Sequence, residues 1–170
     1  MKKLLSLILT LLIISGSVSA FGAMTKEDAT ALDLRTKAEY TAEELAAGLK
    51  KELVNYAEDF VAAEEKYGVN SVFLAAVSAF ESGWGKSCFR KNNIFGWGGK
   101  SFDSKSECID FVASKLSENY LSEDGKNYHG TDLNAVNKSY NGSDIWLVNV
   151  AGIMAKIDQK AEAFGEIKAD

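Results

Sequence analysis

The stretch "SVFLAAVSAFESGWG", residues 71–85, is apolar on every face of a 3.6-residue period at Val72, Phe73, Leu74, Ala75, Ala76, Val77, Ala79 and Phe80. A helix apolar all round has to be buried. The preceding "YGVN", 67–70, supplies a glycine stop for one helix and an asparagine N-cap for the next, so the spacing predicts a central helix from about Ser71 to Glu81. That helix ends in a carboxylate, and Gly83 and Gly85 then let the chain turn away sharply.

Helix signals dominate on both sides. "TAEEL", 41–45, pairs Thr41 with Glu44 as a capping box, and Leu45, Leu49, Leu53, Tyr56 and Phe60 recur at helical spacing, with a break expected near Gly48. Downstream, Ile109, Val112, Leu116 and Tyr120 form one stripe; Trp146, Val150, Ile153 and Ile157 form another; a weaker helical turn surrounds Leu133 and Val136. "GWGGKSFDS", 96–104, reads as a glycine-rich turn or short hairpin. The fold class is therefore all-α, with at most that hairpin. Residues 41–160 form the domain, 21–40 a mobile arm or frayed helix, and 161–170 a loose charged tail.

Residues 1–20 combine Lys2 and Lys3, the apolar "LLSLILTLLII" and the small residues "SVSA", which is the pattern of a cleaved secretory signal. The alternative is an uncleaved N-terminal anchor. The apolar stretch is shorter than the ~20 residues a membrane-spanning helix needs, so an exported protein without stable membrane insertion is expected. Loss of both lysines makes the remainder two units more negative than the −5 of the whole chain. Such an acidic chain argues against nucleic acid as a partner. One histidine and two cysteines without close spacing do not make a metal site, and no cofactor is expected. In an oxidising compartment Cys88 and Cys108 form either one disulfide or two free thiols.

Glu81 carries the chemistry. Partial desolvation and the negative end of the helix dipole both disfavour its ionisation, which suits a general acid near neutral pH. Taken alone, it is equally readable as a solvated helix-terminal acid, with Trp84 as ordinary core. The order of motifs changes that balance. "SAFESGWGKS" followed by "KNNIFGW" resembles the glucosaminidase family of bacterial cell-wall autolysins, glycoside hydrolase family 73. The resemblance runs through "FDSKSECIDFVASKLSENYL" and "LNAVNKSYNGSDIWLVNVAGIM", and so covers most of residues 41–158.

The resemblance implies a lysozyme-superfamily fold and hydrolysis of peptidoglycan glycan strands at the bond after N-acetylglucosamine, by a secreted monomer. It implies that Glu81 protonates the leaving glycosidic oxygen and that Tyr140, in "KSYN", lies near it to orient water or stabilise the transition state. Of Asn92 and Asn93, one is expected to tighten a turn and the other to bind an acetamido group. Phe95 reads as a core anchor in the substrate region, Trp97 as a ring stacking on a sugar face, and Trp84 as either. His129 reads as a surface turn residue.

The departure from the family pattern is the second carboxylate. Two-carboxylate hydrolysis needs a partner opposite the acid, at ~5 Å for retention or ~6.5 to 9.5 Å for inversion. Relatives often carry it in a hairpin insertion that is short here, leaving Asp103 as the candidate, with Glu107 behind it; Asp103 is equally readable as a helix cap. If neither serves, the substrate's own 2-acetamido oxygen can act as nucleophile. Two further functions stay open: a muramidase or lytic transglycosylase of the same superfamily, and a glycan-binding domain without catalysis.

Overall fold

The computed structural model describes residues 23–169, so the expected signal segment lies outside the described residues. The described residues form seven α-helices and no strand, the all-α class the patterning implies. They are α1 (Lys26–Ala31), α2 (Ala42–Gly48), α3 (Ala57–Tyr67), α4 (Ser71–Ser82), α5 (Lys105–Leu116), α6 (Leu133–Tyr140) and α7 (Asp144–Ala169). A 3-10 turn, Lys51–Tyr56, joins α2 to α3, and a π-helical turn, Ser117–Leu121, extends α5. None of these helices is long and apolar enough to cross a membrane.

Helix α4 is the centre. Every residue from Ser71 to Ala79 is buried, and the helix packs against α3 and the long α7. Two acceptors hold its N-terminus. The Asn70 side chain accepts from the Phe73 N–H at 2.9 Å, and Glu64, itself only 1% exposed, accepts from the Ser71 N–H at 2.6 Å. The same Glu64 carboxylate accepts from the N–H groups of Ala38 and Glu39 at 2.9 and 3.3 Å. A buried anion at a helix N-terminus is favoured by the unpaired N–H groups and the dipole there. At the other end Gly83 takes the left-handed conformation, φ 57°, that closes the helix. Two of the buried serines cost little, because Ser78 and Ser82 donate to carbonyls one turn back.

The break expected at Gly48 is present, and its cause is tertiary. A Cβ on Gly48 would lie 2.5 Å from the Ile157 carbonyl oxygen, so only glycine lets the end of α2 press onto α7.

Two expectations fail at the ends of the domain. Residues 21–40 are not a loose arm where they are described: Thr25 caps α1 in a capping box, Ala29 and Leu34 are fully buried, and Leu34 exchanges backbone hydrogen bonds with Thr131 and Asn70. Tyr40 and the Met24 N–H both donate to Asp158 on α7. Nor are residues 161–169 a loose tail. They continue α7 as helix, with Ala161 fully buried and Lys168 ion-paired to Glu43. Neither segment shows a period of its own, because its partners lie elsewhere in the chain: Met24 pairs with Asp158, Leu34 with Asn70 and Thr131, and Lys168 with Glu43.

Residues 96–104 form turns rather than a hairpin. Cys88 and Cys108 are free thiols, not a disulfide. Burial pushes the Cys108 thiol up to about 11 and raises Cys88 as well, so both are protonated and sluggish as nucleophiles.

Replacing Glu64 by alanine would orphan three N–H groups at once. Glu64→Ala is expected to lower stability by about 3 kcal/mol, read as a shift of the urea unfolding midpoint at unchanged slope.

Candidate active site

Glu81 lies in the last turn of α4, half-buried, on the floor of a cleft of about 240 Å³. Phe95, Gly96, Trp97, Gly98, Tyr120, Tyr140 and Asn141 line the rest of this cleft. Among the described residues Glu81 is the only carboxylate in the lining.

The aromatic walls form a connected set. Trp97 meets Tyr120 and Tyr140 edge-on at centroid distances of 6.2 and 6.0 Å, and Tyr140 lies on Trp146 at 5.2 Å, tilted by 33°. Such geometries are favourable and leave each ring little freedom. Ring faces and edges of this kind leave an aromatic-walled cleft with a single carboxyl in its lining.

Two hydrogen bonds tie the chemistry to the frame. The Trp146 indole N–H donates to Glu81 Oε1 at 2.9 Å. The Tyr140 hydroxyl donates to the Phe95 carbonyl oxygen at 3.1 Å, which leaves the phenol oxygen free to accept. Desolvation raises the Glu81 pKa above its ordinary value, and the Trp146 N–H partly offsets that by stabilising the anion. The Tyr140 hydroxyl is pushed well above its usual range, first by burial and then by the charge of Glu81, so it stays a neutral phenol.

Glycine at 96 is required twice. Its φ is +63°, and an added Cβ would stand 3.3 Å from Glu81 Oε2. The loop that presents it is pinned by the asparagine pair. Asn92 donates to the carbonyls of Phe102 and Asp103. Asn93, 3% exposed, donates to those of Trp97 and Lys100 and accepts from the Trp97 N–H. The Asn93 amide is engaged by backbone at both its nitrogen and its oxygen, and the Asn92 nitrogen is likewise engaged, so both asparagines tighten the turn as expected of one of them.

Phe95 is a buried anchor, as read, and also forms part of the cleft floor. Trp97 is half-buried in the wall. Trp84 does not line the cleft: it is held in a left-handed conformation, φ 67°, with the Lys50 ammonium 5.2 Å over its ring.

Asp103 is displaced from the expected role in both of its readings. Its side chain is fully exposed beside Lys91 at 3.8 Å and does not line the cleft, and the cap of α5 is Ser104, which accepts from the Glu107 N–H. Glu107 turns back to accept from the Asp103 N–H at 2.7 Å. His129 touches Ser139 at 2.8 Å on the surface. The residues the sequence reading missed are Trp146, Tyr120 and Gly96. Trp146 and Tyr120 read as members of core stripes; the signal for Trp146 is that a buried indole N–H needs an acceptor.

A family model described as "Mannosyl-glycoprotein endo-beta-N-acetylglucosaminidase", for glucosaminidases, matches residues 57–159, which takes in Glu81, the whole cleft and Trp146. The chain belongs to the glucosaminidase family. Two relatives from Streptococcus pneumoniae, of strains TIGR4 and R6, are each provisionally named endo-beta-N-acetylglucosaminidase. Each is 32% identical to this chain over 145 residues, a match covering 75% of the chain and 22% or 20% of the relative. The chain therefore spans about a fifth of the length of the curated relatives it matches. At the family level the chain belongs with enzymes of glycan hydrolysis, and the all-helical frame of its described residues agrees with the lysozyme-like fold that the resemblance implies.

Gly96→Ala forces a side chain into a left-handed backbone and against the Glu81 carboxylate. The expected result is a loss of about 1–2 kcal/mol in stability together with a displaced Trp146 indole N–H resonance, read by thermal unfolding and two-dimensional NMR.

Proposed function

We propose that this glucosaminidase is an exported endo-β-N-acetylglucosaminidase that cleaves peptidoglycan glycan strands after N-acetylglucosamine, with Glu81 as general acid. The observation that carries this reading is a single half-buried carboxyl, raised in pKa and held by an indole N–H, on the floor of an aromatic-walled cleft. The names of the two relatives and the signal pattern of residues 1–20 support it.

The cleft favours a substrate-assisted path over one with a second protein carboxylate, because Asp103 and Glu107 both lie at the start of α5, outside its lining. Glu81 donates its proton to the leaving glycosidic oxygen as the C1–O bond breaks. The carbonyl oxygen of the 2-acetamido group closes onto C1 from the opposite side. Water then opens the resulting oxazolinium ring at C1 and returns a proton to Glu81. In this reading the Tyr140 oxygen accepts from the acetamido N–H and so aims that carbonyl; its hydrogen bond to the Phe95 carbonyl supports the role by fixing the phenol.

Digestion of purified sacculi followed by borohydride reduction should yield reduced glucosamine. Reduced muramic acid or an anhydro-sugar would instead assign a muramidase or lytic transglycosylase.

Glu81→Gln is expected to lose at least ~10²-fold in kcat while still binding glycan strands, whereas Asp103→Asn stays within about twofold of wild type. Since the acid must be protonated to act, kcat should fall as pH rises through the Glu81 pKa, with a midpoint above the ordinary glutamate value. A wild type that binds strands without cleaving them would mark a binding domain.

A further inference from the structure

Trp146 is the third residue of α7, and it is only 1% exposed. Burying an indole N–H without an acceptor is costly. Here the acceptor is Oε1 of Glu81, at 2.9 Å and 65 residues away in sequence. The ring has no freedom to choose another, since Tyr140 lies against it at 5.2 Å and the surrounding α7 positions Val150 and Ala151 are buried in the core.

The two oxygens of Glu81 are therefore not equivalent. Oε1 faces a fixed donor. Oε2 faces Gly96, where the missing side chain leaves room and where any Cβ would crowd it at 3.3 Å. Gly96 lines the cleft.

We propose that Trp146 is the positioning residue of this site: its indole N–H occupies Oε1 of Glu81 and thereby assigns the transferable proton to Oε2, the oxygen that faces Gly96. This rests on Glu81 being the acid, as proposed above. A proton on Oε1 would meet the indole N–H donor to donor, whereas a proton on Oε2 keeps Oε1 as acceptor in both ionisation states. The indole bond consequently survives proton transfer, and it strengthens as the carboxylate forms, because hydrogen bonds to charged acceptors are the stronger ones. The carboxyl need not rotate between donating its proton and taking one back. Tyr140 contributes to this by packing on the indole, in addition to its own bond to Phe95.

The test uses two substitutions at position 146. Trp146→Phe removes the N–H but also ring volume; β-(3-benzothienyl)alanine at the same position keeps the bicyclic shape and replaces N–H by sulfur, so it controls for packing. Glu81 is titrated by carbon-13 NMR of its labelled carboxyl, and kcat and KM are followed against pH on purified glycan strands. In both variants the Glu81 pKa should rise by about one unit. The high-pH limb of kcat should move upward by the same amount, kcat at its plateau should fall about tenfold, and KM should stay within about twofold.

A purely structural tryptophan would alter melting temperature without moving the titration. If the benzothienyl variant melts like wild type and leaves the Glu81 titration unmoved, the proposal is overturned while the acid assignment stands. If Glu81→Gln retains wild-type turnover, the acid assignment falls and takes the proposal with it.

Discussion

Glu81 stands where burial and the negative end of the α4 dipole both oppose its ionisation, and one indole N–H partly compensates. Most of the described structure can be followed outward from that balance. A carboxyl can be held half out of water only if the helix that carries it is itself rigidly buried. Helix α4 meets that condition because its apolar faces are covered on all sides and its N-terminus is fastened by Asn70 and the buried Glu64. The two acids have opposite roles at opposite ends of one helix. Glu64 accepts from three N–H groups, whereas burial raises the Glu81 pKa and a single indole N–H offsets part of that rise.

The loop 92–104 and helix α7 deliver the other half of the site. Loop residues have no ladder to hold them, and here two asparagine side chains replace one by bonding the carbonyls across the turn. This brings Gly96 against Glu81 Oε2 and Trp97 against the tyrosines. Helix α7 crosses behind, pressed on α2 at Gly48, and carries Trp146 to Oε1. The proposed substrate-assisted path rests on the single acidic group in the cleft lining and on the Tyr140 hydroxyl being anchored to the Phe95 carbonyl.

Much of the fold could be read from local pattern. The capping residues Thr41 and Asn70, the stop at Gly68 and the position of Glu81 at the end of α4 are short-range features, and each falls where the sequence implies. The arm and tail were misread because Leu34, Met24 and Lys168 draw their order from contacts with residues far along the chain, which leave no period in the segment itself. The same limit applies inside the site. Of Asn92 and Asn93 the sequence implies one turn-tightening residue, and it cannot show that backbone carbonyls occupy the side-chain nitrogens of both. Asp103 looked available because its neighbours in space are not its neighbours in sequence.

The sequence by itself determined the helical class, the burial of α4, the acid at its end and the membership of the glucosaminidase family, because these follow from periodicity, caps and contiguous motifs. Tertiary structure alone decided which groups touch that acid. Trp146 lies 65 residues from Glu81 and Gly96 lies in a loop. Their approach is set by packing of α7 and the pinned turn against α4, and such packing energy is a property of the assembled core that no single segment encodes.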